Sequence, residues 1–190
     1  GEYPFKRTAN RHDFSILPPS DTMLDKLKRS GFDTIAVGKI NDIFDNCGIT
    51  EYYYTKSNDE GMVKTIEIAN KDFNGLCFTN LVDFDALFGH RRDVLGYKNA
   101  IEEFDVKLGE LLDTIDDETL VMVTADHGND PIHHGTDHTR ENVPLIMYYK
   151  GVKGEYLGEF KSFTNIGTTI TVNFDLPKCL YGDGFNKFIK

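Results

Sequence analysis

Three times along this chain a short apolar run gives way to a polar segment that contains a glycine and charged or imidazole side chains. Asp33–Val37 (DTIAV) runs into Gly38-Lys39, Gly75–Val82 (GLCFTNLV) runs into the segment from Asp83 to His90 (DFDALFGH), and Leu120–Thr124 (LVMVT) runs into Ala125-Asp126-His127-Gly128. Short runs rich in β-branched residues and closed by turn residues read as buried strands. Between them lie segments with apolar residues at helical spacing, so strand and helix alternate. That alternation predicts an α/β fold: a mainly parallel sheet with helices on both faces. In such sheets ligands gather beyond the carboxyl ends of the strands, and all three polar clusters fall at that edge.

The helical segments carry their own boundary signals. Asp21 or Ser20 is placed to cap a helix over Thr22–Ser30, with Met23, Leu24 and Leu27 on one face and Gly31 as its stop. Asn58-Asp59 precedes a second helix, roughly Glu60–Lys71, with Met62, Ile66 and Ala69 inward. A long helix over Val94–Thr114 presents Ile101, Phe104, Leu108, Leu111 and Leu112 as its apolar stripe. Val143–Tyr149 reads as a further strand, with Pro144 near its start where a missing amide hydrogen is tolerated. Asn165-Ile166-Gly167 opens a last helix over Thr168–Phe174.

Composition narrows the class. The 190 residues are 39% hydrophobic and 27% charged, enough for one sizeable core, and no apolar run approaches a membrane span. A net charge of −10 argues against nonspecific nucleic-acid binding, which needs a basic patch. It leaves a phosphorylated substrate open, because bound divalent cations invert the local field. The three cysteines, Cys47, Cys77 and Cys179, are widely spaced and form no CxxC pair, which fits a reducing, cytoplasmic setting. The chain opens without methionine inside organised sequence, as expected of the carboxyl-terminal piece of something longer.

The stretch Leu120–Arg140 (LVMVTADHGNDPIHHGTDHTR) holds four of the chain's six histidines. Together with the end of the preceding strand it offers Asp83, Asp85, His90, Asp126, His127, Asp130, His133, His134, Asp137 and His138 as oxygen and nitrogen donors. Mixed carboxylate and imidazole donors suit manganese, iron or zinc. A connection longer than about 15 residues is usually either functional or disordered. HExxH, a Gly-rich phosphate loop and a GxSxG elbow are all absent from the sequence. Two strand-end clusters together point to a two-metal site. Structural roles compete at several positions: Asp83 and Asp130 as caps of helices or turns, His133 and His134 as loop residues, Arg91 and Arg92 as partners of Asp93 or of the long helix.

The segments TADHGNDPIHHGTDHTRENVPLIMY and NLVDFDALFGHRRD resemble the metal-binding signatures of the phosphopentomutase family, within the alkaline-phosphatase superfamily; TANRHDF and the strand-end GKI resemble it too. The resemblance implies an incomplete alkaline-phosphatase-like core over residues 21–190, with residues 1–20 as the end of a cap domain and its linker. It implies two manganese ions, with zinc, magnesium or cobalt as substitutes. One ion would be held by Asp85, His90 and His138, and the other in part by Asp126 and His127. An aspartate and a nucleophilic threonine that complete the family's site have no counterpart here, so the missing amino-terminal half is an expected partner. Arg7 and Lys39 match positions that contact the sugar phosphate.

The implied reaction interconverts (deoxy)ribose 1-phosphate and 5-phosphate through a phosphothreonine, with a sugar bisphosphate as activator. The alternatives are another superfamily enzyme (a cofactor-independent phosphoglycerate mutase or a phosphatase) or a non-catalytic metal-binding fragment. A sheet lacking strands is also expected to expose an edge and to associate.

Overall fold

β1 (Asp33–Val37) is the strand against which the first half of the chain packs. Thr34, Ile35, Ala36 and Val37 are each at most 4% exposed, as a strand covered on both faces must be. The computed structural model describes residues 15–185. β1 lies between β2 (Glu51–Tyr53) and β3 (Gly75–Thr79), parallel to both, in the order β2-β1-β3. Val37 stands opposite Tyr53 on one side and Thr79 on the other. The three carboxyl ends therefore finish level, and the polar segments that follow emerge at one edge.

Alternation along β1 sends neighbouring side chains to opposite faces. Ala36 packs with Leu24 of α1 (Met23–Arg29), with Ile49, and with Ile40 of the short α2 (Ile40–Ile43). Ile35 and Val37 pack on Ile68 of α3 (Asn58–Ala69). Helices thus cover both faces of the parallel sheet, as the alternating pattern predicts. Gly38, at the exit of β1, has φ +79 and lies against the Asn80 carbonyl, where a side chain would collide. Glycine there lets β1 and the end of β3 run close together.

The opposite face of α3 builds a third cluster. Met62, Ile66 and Ala69 meet Phe104, Leu108, Leu111 and Leu112 of α4 (Val94–Thr114), together with Ile115, Leu81 and Val121. Ile101 is a departure from the sequence reading. It is 49% exposed while Ala100 is buried, because the inward face runs through Ala100, Phe104 and Leu111, and Ile101 stands one residue off that line. α1 is capped by Thr22, whose hydroxyl accepts from the Asp25 amide in a capping box. Asp21 pairs instead with Arg29. α3 is capped by Ser57 rather than Asn58-Asp59, which form its first turn. The last helix, α5, spans Thr164–Asn173 and begins earlier than its glycine suggests.

β4 (Leu120–Thr124) and β5 (Leu145–Tyr149) form a separate antiparallel pair, Leu120 opposite Tyr149 and Thr124 opposite Leu145. The sequence reading makes the sheet mainly parallel, as β2-β1-β3 is; this pair is the antiparallel exception. A parallel return needs a crossover, usually a helix. The segment between β4 and β5 contains no helix and folds back on itself, with Gly128 bridged to Thr139. Among the described residues β3 has no strand on its outer side; Leu81, two residues past its end, and Val121 of β4 both pack into the α3–α4 layer. Arg7 and the rest of residues 1–14 lie outside the described residues. None of the helices described is long and apolar enough to cross a membrane.

Two measurements test this packing. Thr34, fully buried, exchanges hydrogen bonds with Thr50: Thr34 N donates to Thr50 Oγ1 at 2.8 Å and Thr50 N to Thr34 Oγ1 at 3.1 Å. The Thr34 hydroxyl also donates to the Gly48 carbonyl. Thr34→Val keeps the shape but leaves the Gly48 carbonyl without its donor, while the Thr50 amide retains the Thr34 carbonyl at 2.9 Å, so chemical denaturation should show a loss of about 1–3 kcal/mol. Burial pushes the Cys77 thiol up to about 11 from 9.0. At pH 9 roughly 1% of it is thiolate, so iodoacetamide should modify Cys77 far more slowly in the folded chain than in urea. The raised value means the folded state holds this proton more tightly. Its contribution to stability is complete below about pH 9 and disappears as pH rises through about 11.

Candidate metal centre

After β3 the chain enters a six-residue π-helical turn, Phe84–Gly89. Its wide pitch matters for the spacing DFDALFGH. In an α-helix, residues five apart stand roughly 140° apart around the axis. In the π-turn the His90 amide donates to the Asp85 carbonyl at 3.0 Å, which places the two residues one above the other. Their side chains meet, His90 Nε2 lying 3.3 Å from Asp85 Oδ2. Single π-turns recur at functional sites for this geometric reason. Phe84 anchors the turn on α4 through Tyr97 and Phe104, at ring-centroid distances of 5.7 and 6.2 Å.

The other half of the site comes from the loop after β4. The Thr139 amide donates to the Gly128 carbonyl at 2.9 Å, and the Thr139 hydroxyl accepts from the Asp130 amide at 2.7 Å. This closes the loop, so that His127 and His138 leave it side by side, their rings stacked at 3.8 Å. His138 Nε2 lies 3.3 Å from Asp85 Oδ1, and its ring is 4.8 Å from that of His90. One ligand atom from each of Asp85, His127 and His138 falls within 4.8 Å of the others. His90 adjoins this group through Asp85.

The donor set fits a divalent cation. His90 Nδ1 abuts the Thr136 carbonyl, and a carbonyl only accepts, so in the neutral ring Nδ1 carries the proton. Nε2 then turns a lone pair toward the Asp85 carboxylate. His127 Nδ1 has the Gly128 carbonyl at 3.2 Å, the same arrangement. Acceptor facing acceptor is repulsive until positive charge sits between them. Carbonyls that orient ring nitrogens in this way are the usual outer support of histidine ligands. Burial, with the Asp85 charge adding to it, holds the Tyr97 phenol above its ordinary range.

The sequence-derived residues divide. Asp85, His90, His127 and His138 come together. Asp126 is peripheral: its side chain is 74% exposed and, among the described residues, reaches only the neighbouring His127, at 3.6 Å. Lys39 is partly buried at the start of α2, at the carboxyl end of β1. Asp83 accepts from the Asn58 amide at 2.7 Å, tying the π-turn to α3. Asp130 accepts from the Ile132 amide within its own turn, and His133 and His134 face each other, exposed.

Asn129 escapes the sequence reading, and Arg92 reaches the histidine loop instead of pairing with Asp93 or the long helix. Asn129, 8% exposed, donates from Nδ2 to Asp85 Oδ1 at 2.6 Å. Gly89 makes room for it, since a Cβ there would sit 2.6 Å from the Asn129 amide carbon. Arg92 donates from Nη1 to Asn129 Oδ1 at 2.7 Å. Only the polarity of Asn129 between two acids, and an arginine two residues past a candidate ligand, could have signalled them.

A family model described as the Metalloenzyme superfamily matches residues 6–178. A curated protein of Lachnoclostridium phytofermentans named phosphopentomutase is 50% identical over 187 residues, 97% of this chain and 48% of its own length. The chain therefore spans about half the length of that relative.

Calorimetry with manganese tests the geometry. Asp85→Ala removes the carboxylate that both His90 and His138 face, and binding should fall by at least 100-fold, the upper end for support residues and a floor for a ligand. Asp126→Ala should leave binding of the ion that Asp85 and His138 face within about threefold of the parent, since Asp126 is peripheral to that pair.

Proposed function

The chain belongs to the Metalloenzyme superfamily, and on that footing we propose that it is the carboxyl-terminal portion of a phosphopentomutase. Such an enzyme is an isomerase that interconverts (deoxy)ribose 1-phosphate and (deoxy)ribose 5-phosphate. The observation that carries this reading is the 50% identity to a protein of that name across 97% of the chain. The convergence of Asp85, His90, His127 and His138 on one small volume supports it.

In this reading Asp85, His90 and His138 hold one divalent ion, and Asp126 and His127 contribute to a second. The exposed carboxylate of Asp126 and its neighbour His127 await donors from the other half of the protein. Manganese is the favoured ion, because hard carboxylate oxygen and borderline imidazole nitrogen both suit it. When bound, the ions supply positive charge that polarises a phosphoryl group and stabilises its attacking and leaving oxygens. This chain's own residues hold that charge at the strand ends and orient the substrate.

Arg7 and Lys39 are assigned to the sugar phosphate, residues 1–20 to the end of a cap domain with its linker, and residues 21–190 to the core. A sugar bisphosphate serves as activator, and the nucleophilic threonine belongs to the other half. Three free cysteines are in keeping with the reducing cytoplasm.

The full-length protein with manganese should convert ribose 1-phosphate to ribose 5-phosphate and leave phosphoglycerate untouched. The 190-residue chain alone should show no turnover above its own His138→Ala variant. Preferential turnover of phosphoglycerate by the full-length protein would overturn the assignment. Turnover by the isolated chain would show that its own residues include a nucleophile.

A further inference from the structure

The histidine loop carries most of the site and has little regular hydrogen bonding of its own. Its bridge at Gly128 and Thr139 closes the base, but residues 129–137 belong to no helix or strand. Carbonyls in such a segment need donors from elsewhere. One side chain reaches three of them. Arg92 Nε donates to the Gly135 carbonyl at 2.6 Å, Nη2 to the Asp137 carbonyl at 2.6 Å, and Nη1 to the Asp130 carbonyl at 2.8 Å. Nη1 also reaches the Gly89 carbonyl at 3.1 Å and Asn129 Oδ1 at 2.7 Å.

We infer that Arg92 is a positioning residue that clamps the histidine loop onto the π-turn and brings the two halves of the metal centre into register. The inference rests on the metal-centre reading above and extends it to a residue that touches no ligand atom.

Each contact leads to one ligand. With Asn129 Oδ1 held by the guanidinium, the amide can only turn its Nδ2 toward Asp85 Oδ1, where it donates at 2.6 Å. The carbonyls of Gly135 and Asp137 bracket Thr136, whose carbonyl receives His90 Nδ1. Asp137 immediately precedes His138. A single guanidinium thus sets the orientation of Asp85, His90 and His138 together.

The chemistry selects arginine. Its planar fork presents five N–H donors in fixed directions, whereas a lysine ammonium is a compact point with three. The backbone supports the same assignment. Arg92 has φ +55, a left-handed conformation unfavourable for a bulky non-glycine residue, and such outliers persist where surrounding contacts over-determine them. Its amide donates to the Gly89 carbonyl at 3.1 Å, so the chain leaves the π-turn at this residue before α4 begins at Val94.

The test compares Arg92→Ala, Arg92→Lys and Arg91→Ala in the full-length protein. Arg91 is exposed and adjacent, so its removal controls for loss of charge. Titration with cobalt(II), followed by its visible d–d absorption, reports both affinity and ligand geometry. Arg92→Ala and Arg92→Lys should each weaken cobalt binding by 10–100-fold, the usual effect of removing support behind a ligand. Their absorption band should shift, while Arg91→Ala stays within about twofold of the parent.

Parent-like affinity and spectrum in a folded Arg92→Ala protein would overturn the inference. Should Arg92→Ala not fold, Arg92→Lys decides: it keeps the charge but not the fork, and parent-like cobalt binding by it would equally sink the proposal. A parent protein that binds no cobalt would instead bring down the metal-centre reading itself, and this inference with it.

Discussion

A carboxylate that faces two imidazole nitrogens, each 3.3 Å away, is the constraint on which the site depends. Asp85 cannot be brought there by local structure alone, because His138 arrives from a loop more than fifty positions later. Two segments must be delivered to one place and held against the mutual repulsion of their acceptor atoms. Asn129 donates to Asp85 Oδ1, the oxygen that His138 faces, and Arg92 holds Asn129 in place; an ion between the acceptors would complete the balance.

The delivery itself is a matter of packing. β1 is covered on both faces, so its neighbours β2 and β3 are fixed in register by the helices that press on it. α3 serves two clusters at once, closing one face of the sheet through Ile68 and meeting α4 through Met62 and Ile66. α4 then carries the π-turn through Phe104 and Tyr97 and meets β4 through Val121. The two ligand-bearing segments are thereby tied to the same helical layer, although their strands share no ladder among the described residues.

Much of this was legible in the chain. Short apolar runs that give way to polar segments predicted β1, β3 and β4, and the helical spacing of Phe104, Leu108 and Leu111 predicted α4 over about its observed span. The side chains at the strand ends named the donors. The errors have identifiable physical causes. Ile101 fits a helical stripe by hydrophobicity, but the contact line runs through the smaller Ala100. Ser57 and Thr22 took the caps because their backbones are extended where the first amides point, which sequence does not reveal. The antiparallel turn of β5 depended on a loop folding back on itself instead of forming a crossover helix.

Asn129 and Arg92 mark the boundary between the two kinds of information. By itself the sequence determined which side chains could hold an ion, because donor chemistry is a property of the residue, and which runs would be buried, because period and apolarity are local. It placed Asp85 and His90 five positions apart, a spacing that no α-helix turns to one face. Only the tertiary structure decided that this spacing works, through a π-turn held by α4, and that His127 stacks on His138 rather than standing apart with Asp126. It also decided that an arginine outside the donor set governs the loop. Hydrogen bonds from a guanidinium to backbone carbonyls follow position and not residue type, so they leave no pattern in the chain that makes them.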